Sequence, residues 1–325
     1  SAIMANQTLG MSGFPCFGSD IGGYRGGEPT EEVLLRWMAF GTFNGVMQTG
    51  GGGGSHMAWT ADSSYSQQAV DVTRKYYKLR MKLIPYIYHY MREASLTGRP
   101  LVRALWLAYP DTPEARAHED EFMFGPDMLV APVYEEGATE RDVWLPPGEW
   151  VDFWTGERFD GGQTVTKSTP IDVIPVYIRR GAIIPMAADG IDTMLPAEDV
   201  ETVSYQDVTE YQAHLFPAED AREISTANGV RINASGGTTT RIETAVGSPD
   251  SEVDSRFAFA PETLTLYVEA AGTPFEGGPS SVTVTRSGSP VTLSEGASCA
   301  DCYSFDEGRS LLTIRLSEDG VVRIE

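Results

Sequence analysis

A change of hydrophobic periodicity near residue 99 restricts the fold of this chain more than any other feature. Residues 65–96 carry apolar side chains at close to helical spacing, namely Val72, Tyr76, Leu79, Leu83, Ile87 and Tyr90. After Arg99, short segments rich in β-branched and aromatic residues alternate with turns. The pattern predicts one long helix, kinked at Pro85 and ended by Gly98, followed by domains built only from strands.

The first 62 residues alternate between strand-like and helix-like segments. Residues 10–20 predict a buried strand that stops at Asp20, and residues 43–50 predict a second short strand. Between them, residues 28–43 predict a helix that Thr30 caps, with an apolar stripe of Val33, Leu34, Trp37 and Met38. A strand, a helix and a strand, with each strand followed by glycines, is typical of an α/β barrel.

The fold class predicted for the whole chain is α/β plus all-β. Residues 1–98 form the barrel part, residues 99–197 a first β-sandwich, and residues 198–325 a second β-sandwich, with the acidic segment 187–200 at their boundary. Trp150 and Trp154 are expected to pack inside the first sandwich.

Charge and composition exclude several classes of partner. The chain has 24 basic and 46 acidic residues and a net charge of −22, which disfavours binding to nucleic acid or to an anionic membrane. No apolar run reaches the roughly 18 to 20 residues of a membrane span. No motif for a nucleotide, a flavin or a metal is present, so we expect no cofactor.

The three cysteines bear on the cellular compartment. Cys16 lies in an apolar run and is expected to be a buried thiol, while Cys299 and Cys302 lack two further ligands at metal spacing and are expected to form a local disulfide. Asn6 and Asn233 begin tripeptides that match the glycosylation acceptor pattern. These features favour a secreted or extracytoplasmic glycoprotein.

Six motifs occur in a fixed order within the first 188 residues: FGSDIGGY, LLRWMAFGTF, KLIPYIYHYMREASLTGRPLVRALWLAYPD, DEFMFGPDMLVAPV, VWLPPGEWVDFWTGERFDGG and IPVYIRRGAIIPM. Together they resemble glycoside hydrolase family 31, a family of retaining α-glucosidases and α-xylosidases. The resemblance implies that the chain begins with the last strands and helices of a TIM (α/β)8 barrel. Residues after about 198 match only by position, as the distal β-domain of that family.

The resemblance also implies roles for two residues beside the first glycine turn. In the family, the aspartate at the position of Asp20 binds hydroxyl groups of the sugar in the −1 subsite. The aromatic residue at the position of Tyr24 helps to shape that subsite, which suits the apolar face of a sugar ring. From the residues alone, Asp20 could also be an acid that only stabilises its turn.

Family members hydrolyse their substrates with an aspartate nucleophile and an aspartate acid/base, and both precede the motif that contains Asp20. The chain starts nineteen residues before Asp20, so we expect neither catalytic aspartate within it. It is expected to act only together with the N-terminal part of the same enzyme, on an α-linked oligosaccharide or glycoside.

One departure from the family pattern concerns the second strand. The family usually has Arg-x-His there, whereas this chain has Gln48, Thr49 and Gly50, and its nearest histidine is His56. We expect the Gly50–Gly54 loop to carry His56 to the sugar beside Gln48; otherwise His56 is a solvated loop residue and the contact is lost.

Several substrates remain open. An α-glucosidase is the first expectation, and a sulfoquinovosidase, an α-xylosidase or an α-galactosidase of the same family are alternatives, as is a non-catalytic carbohydrate-binding β-sandwich protein. The glycosidic linkage, and the balance between hydrolysis and transglycosylation, also stay open.

Overall fold

A computed structural model describes residues 1–50, 56–60, 63–226, 229–236, 239–246, 263–270, 273, 277–286, 289–296, 299–318 and 320–324. The chain divides into two compact units. The first comprises Ser1–Arg80, Tyr90–Phe153 and Phe159–Ile178, and the second comprises Met81–His89, Trp154–Arg158 and Arg179–Glu325.

The α-helices are α1 (Ala2–Met11), α2 (Glu31–Thr42), α3 (Gln67–Thr97) and the short α4 (Leu105–Ala108). The predicted cap of α2 is confirmed, because the Thr30 hydroxyl accepts a hydrogen bond from the Val33 amide at 3.4 Å. Helix α3 contains Pro85 and ends at Gly98, whose left-handed φ of 74° confirms the predicted stop. In the described part of the chain, no helix is both long and apolar enough to cross a membrane.

The predicted strand over residues 10–20 is wrong. Its first residues belong to α1, and the extended backbone that follows pairs only as one parallel bridge between Asp20 and Gln48. The second predicted strand, residues 43–50, does not form either, and Gln48 takes part only in the same bridge. A strand is defined by its neighbours, and in the described residues each segment pairs only with the other.

The first β-domain contains eight strands: β1 (Val102–Ala104), β2 (Phe122–Phe124), β3 (Met128–Val130), β4 (Glu140–Leu145), β5 (Glu149–Asp152), β6 (Arg158–Asp160), β7 (Gln163–Ser168) and β8 (Val176–Arg179). Six form a sheet in the order β1-β2-β3-β8-β5-β6, and β4 pairs with β7. A core that includes Leu129, Leu145 and Trp150 joins the sheet to the β4–β7 pair. Trp150 is fully buried, as predicted.

The second β-domain contains β9 (Ile183–Ala187), β10 (Glu210–Leu215), β11 (Arg222–Ser225), β12 (Val230–Ser235), β13 (Thr240–Val246), β14 (Thr263–Glu269), β15 (Val282–Arg286), β16 (Ser289–Thr292), β17 (Ser294–Glu295), β18 (Cys302–Asp306), β19 (Leu311–Leu316) and β20 (Val321–Ile324). They form two sheets, β17-β18-β19-β14-β10-β9 and β11-β12-β13-β20-β15-β16. Apolar side chains of both sheets share one core, which is the predicted second sandwich.

Strand β9 falls before the predicted boundary at residue 197. It nevertheless pairs antiparallel with β10 in the sheet of the second sandwich. The domain limits at residues 98 and 197 remain predictions.

Candidate active-site segment

Asp20 and Gln48 lie side by side where two extended segments meet. The Ile21 amide donates to the Gln48 carbonyl at 3.0 Å, and Gln48 Nε2 donates to Asp20 Oδ1 at 2.7 Å. Asp20 is half-buried and Gln48 is exposed. The amide therefore holds the carboxylate in one orientation at an accessible position, which is the arrangement expected of a ligand-binding acid.

A glycine turn begins at Asp20, whose carbonyl accepts a hydrogen bond from the Gly23 amide at 3.0 Å, and it requires glycine at position 22. Gly22 has a φ of +83°, and a Cβ there would lie 2.9 Å from Pro29 Cγ, too close for any other residue. Tyr24 leaves the turn with 59% of its surface exposed. The turn thus presents an aromatic ring to solvent a few residues after the carboxylate.

His56 lies against this turn and is only 4% exposed. Its Nε2 is 3.4 Å from the Gly27 carbonyl oxygen, and its Nδ1 is 3.5 Å from the place where a Gly22 Cβ would be. The buried Nδ1 has no hydrogen-bond partner among the described residues. The alternative that His56 is a solvated loop residue is therefore wrong. Residues 51–54 of the Gly50–Gly54 loop lie outside the described residues.

Trp59 and Tyr77 form an aromatic pair beside this site that the sequence reasoning missed. Their ring centroids are 5.5 Å apart in an edge-on arrangement, and Trp59 is 49% exposed. Burial raises the pKa of the Tyr77 hydroxyl, which a hydrogen bond to the Thr49 side chain partly offsets. Thr49 directly follows Gln48, so the aromatic pair is linked to the bridge between Gln48 and Asp20. The sequence signal that could have indicated this pair is Trp59 itself, an aromatic residue soon after the glycine loop.

The arrangement is suited to binding a polyol. A carboxylate accepts hydrogen bonds from hydroxyl groups, and a primary amide both donates to them and accepts from them. Exposed aromatic rings can cover the apolar C–H faces of a sugar. The structure brings Asp20 and Gln48 into contact and places His56 under the same turn. It leaves Tyr24 on the solvent side.

One cluster in the described residues has the composition of a metal site. Ligand atoms of His118, Asp120 and Glu121 lie within 4.8 Å of one another. However, Arg141 Nη2 is 2.9 Å from Asp120 Oδ2 and already supplies a positive charge there. Because a cation would be repelled by this guanidinium, the cluster gives no support for a bound metal.

The remaining predicted residues fall outside this site. Cys16 is exposed, so its predicted burial is wrong: the strand that would have enclosed it does not form. Cys299 and Cys302 are joined in a disulfide, with Cα atoms 5.7 Å apart. Asn6 is buried in α1 and donates to Asn44 Oδ1 at 2.5 Å, so it is not exposed for glycosylation, whereas Asn233 on β12 is half-buried.

Two family models match this chain in sequence order. Residues 1–90 match the TIM-barrel domain of glycosyl hydrolase family 31, and residues 98–184 match the C-terminal domain of the same family. Asp20, Gln48 and His56 all fall in the first of these ranges.

Curated relatives match the same part of the chain. An isomaltosyltransferase of Sporosarcina globispora is 36% identical over 193 residues, which is 57% of this chain and 18% of the relative. Alpha-glucosidase 2 of Bacillus thermoamyloliquefaciens is 33% identical over 200 residues, or 59% of this chain and 24% of the relative. The chain thus spans about a fifth to a quarter of the length of these relatives.

Among solved structures, a family 31 dextranase of Flavobacterium johnsoniae complexed with glucose superimposes with a TM-score of 0.82. The match covers 98% of this chain and 41% of the dextranase at 24% sequence identity, so the fold extends through the second β-sandwich. The two family models, their order and this shared fold agree with one another. The chain belongs to glycoside hydrolase family 31, of which it carries part of the TIM barrel and the C-terminal β-domains.

Proposed function

We propose that the protein containing this chain is a retaining α-glycoside hydrolase and that Asp20 binds the sugar whose bond is cleaved. The observation that carries the proposal is the accessible Asp20 carboxylate, fixed by Gln48 at the end of a short barrel segment. Active sites of TIM barrels lie in the loops that follow the strands. The family resemblance assigns Asp20 and Gln48 to such positions, and the parallel bridge between them supports the assignment.

The proposed reaction is a double displacement. A nucleophilic carboxylate and an acid/base carboxylate, about 5 to 5.5 Å apart, form and then hydrolyse a glycosyl-enzyme intermediate. Both groups are proposed to lie in an N-terminal part of the same protein, which is also the partner proposed for this chain. The residues of this chain bind and orient the sugar, so their contribution is to hold the reacting carbon in position.

Asp20 has the capacity for this task. Gln48 occupies one lone pair on Oδ1, and an ionised carboxylate has roughly four acceptor sites on its two oxygens. Sites therefore remain for two sugar hydroxyls. Hydrogen bonds to a charged acceptor are stronger than neutral ones, and those that shorten in the transition state accelerate the reaction.

His56 is proposed to serve the same subsite in place of the histidine of the family's Arg-x-His motif. Its unpartnered Nδ1 beside Gly22 supports this role, because that nitrogen lies directly behind the turn carrying Asp20 and Tyr24. The ring is enclosed, so a bond to sugar requires this turn to shift. Gln48, at the arginine position, holds Asp20 instead of carrying a charge.

The substrate is proposed to be an α-linked glucoside or oligosaccharide. Relatives with comparable identity bear the names alpha-xylosidase and sulfoquinovosidase, so both substrate classes remain alternatives, as does an α-galactoside. The segment around Asp20 also resembles the sulfoquinovosidase branch of the family, in which a tyrosine after the glycine turn helps to bind the sulfonate. Tyr24 occupies that position and is exposed, which supports the sulfoquinovosidase alternative. A non-catalytic carbohydrate-binding role loses one of its two stacking candidates, because Trp150 is fully buried, whereas Trp154 is half-buried.

Secretion is also proposed. The Cys299–Cys302 disulfide and the half-buried Asn233 in an acceptor tripeptide support an oxidising, extracytoplasmic environment and a glycoprotein.

Asp20→Asn in the full-length protein tests the proposed function. With a panel of α-glucosides, α-xylosides, α-galactosides and a sulfoquinovoside, wild type is expected to turn over one class, and the variant to lose at least ~100-fold in kcat/KM. The exposed Asp111→Asn is the control and should retain wild-type activity. A variant within about fivefold of wild type would show that Asp20 only stabilises its turn.

A further inference from the structure

We propose that Trp59 is the platform on which the leaving-group sugar stacks, so that it selects substrates whose leaving group is itself a sugar. The inference rests on the proposed glycosidase function and extends it from the cleaved sugar to its neighbour in the chain of the substrate. None of the six motifs shared with the family contains Trp59.

The position of Trp59 follows from a continuous series of contacts. Asp20 bonds to Gln48 at 2.7 Å, and the next residue, Thr49, bonds to the Tyr77 hydroxyl. The Tyr77 ring in turn contacts the indole of Trp59, at 5.5 Å between centroids. One aromatic ring, Tyr77, therefore separates the indole from the segment that carries the proposed sugar-binding pair.

Trp59 is exposed and also fixed in place. About half of its surface, 49%, is open, while the preceding Ala58 is only 4% exposed and anchors the backbone. The edge-on contact with Tyr77 is made at an interplanar angle of 74°, which leaves a face of the indole uncovered by Tyr77. An exposed, positioned aromatic face is what recognises the apolar C–H surface of a pyranose ring.

Stacking of this kind selects by shape and not by charge. Asp20 and Gln48 can distinguish hydroxyl patterns, whereas an indole face contacts any ring with several axial hydrogens on one side. We therefore expect Trp59 to affect kcat/KM only for substrates whose leaving group has a ring that can stack on the indole.

The experiment compares two substrates that share the cleaved sugar and differ in the leaving group. With the full-length enzyme and whichever glycosyl group it accepts, kcat/KM is measured for the α-glycosyl fluoride and for an α-linked disaccharide. Trp59→Ala is expected to lower the disaccharide value about tenfold and to leave the fluoride value within about twofold, because fluoride has no ring to stack. Trp59→Phe should recover most of the disaccharide activity.

The control is Trp106→Ala, which removes another exposed tryptophan, 43% exposed, in α4. It should change neither substrate. Equal loss on both substrates with Trp59→Ala, or no loss on either, would overturn the proposal, since the first indicates a structural role and the second no contact. If wild type cleaves neither substrate, the proposed function itself has failed.

Discussion

Replacing Glu121 with glutamine should change how the stability of the protein depends on pH. Glu121 is 1% exposed, its Oε1 accepts a hydrogen bond from the Trp144 amide at 3.0 Å, and its Oε2 has no hydrogen-bond partner among the described residues. Burial raises the pKa of this carboxyl from 4.5 to about 8, although the Trp144 amide and Arg141 oppose the shift. We therefore expect Glu121 to be mainly the neutral acid at pH 7 in the folded protein, although Arg141 Nη2 lies 3.8 Å from its Oε1.

The sign and size follow from linkage between protonation and folding. Because the folded-state pKa is raised, the stability that the neutral carboxyl provides is fully present below pH 4.5 and is lost as the pH rises through about 8. Each pH unit in this window costs about 1.4 kcal/mol, so the loss across the whole shift from 4.5 to about 8 is on the order of 5 kcal/mol. Glutamine keeps an oxygen for the Trp144 amide but cannot ionise, so Glu121→Gln escapes this loss.

The assay is urea unfolding of the wild type and Glu121→Gln at pH values from 5 to 8.5. The difference in unfolding free energy between them should move in favour of the variant as the pH rises. Any cost of the new amide itself does not depend on pH and only sets the difference at pH 5. Glu119→Gln, which removes an exposed carboxyl from the same turn, is the control. A difference that stays within about 0.5 kcal/mol across the range would refute the argument that Glu121 is neutral when folded.

Two further changes test the anchoring of α2 and the glycine turn. Arg36→Met should lower the free energy of unfolding by about 2 to 4 kcal/mol, because four carbonyl acceptors lose a charged donor. The control is Arg74→Met, which removes an exposed arginine of α3 and should lower the free energy of unfolding by under about 1 kcal/mol. If the His56 ring reaches the sugar, His56→Ala should lower kcat/KM by an amount that corresponds to about 1 to 3 kcal/mol of transition-state binding energy. A lower melting temperature with unchanged kcat/KM would instead show that His56 only packs beneath the turn.

The long helix could be predicted closely from the sequence. The predicted range of residues 65–96 compares with an observed α3 of Gln67–Thr97, because periodic burial, a serine cap and a left-handed glycine all act locally. The predicted stripe of α2 failed at Val33, which is 44% exposed, since the helix turns its neighbouring Leu34 and Leu35 inward instead.

The candidate site could be predicted only in part. Asp20 and Gln48 lie 28 positions apart, and their side chains meet across a single parallel bridge. The two strands predicted to carry them do not form, so the pattern of the sequence indicated their proximity but not their local structure. The burial of His56 and the pairing of Trp59 with Tyr77 depend on how a glycine-rich loop returns to the barrel. Glycine permits many backbone conformations, so periodicity carries no information on that path.

The hydrogen bonds between helix α2 and the first β-domain cross the predicted boundary at residue 98, and no sequence pattern indicates them. Arg36 on α2 donates to the carbonyl oxygens of Ala138, Thr169, Pro170 and Val173, all in the first β-domain, and Glu32 accepts from the Gly137 amide at 2.9 Å. Backbone carbonyls are present at every residue, so their side of these bonds leaves no sequence signal. Helix α2 and the first β-domain are consequently one compact unit. The glycine turn that carries Asp20 precedes this helix directly, so the bonds of Arg36 and Glu32 tie the support of the proposed sugar site to the first β-domain.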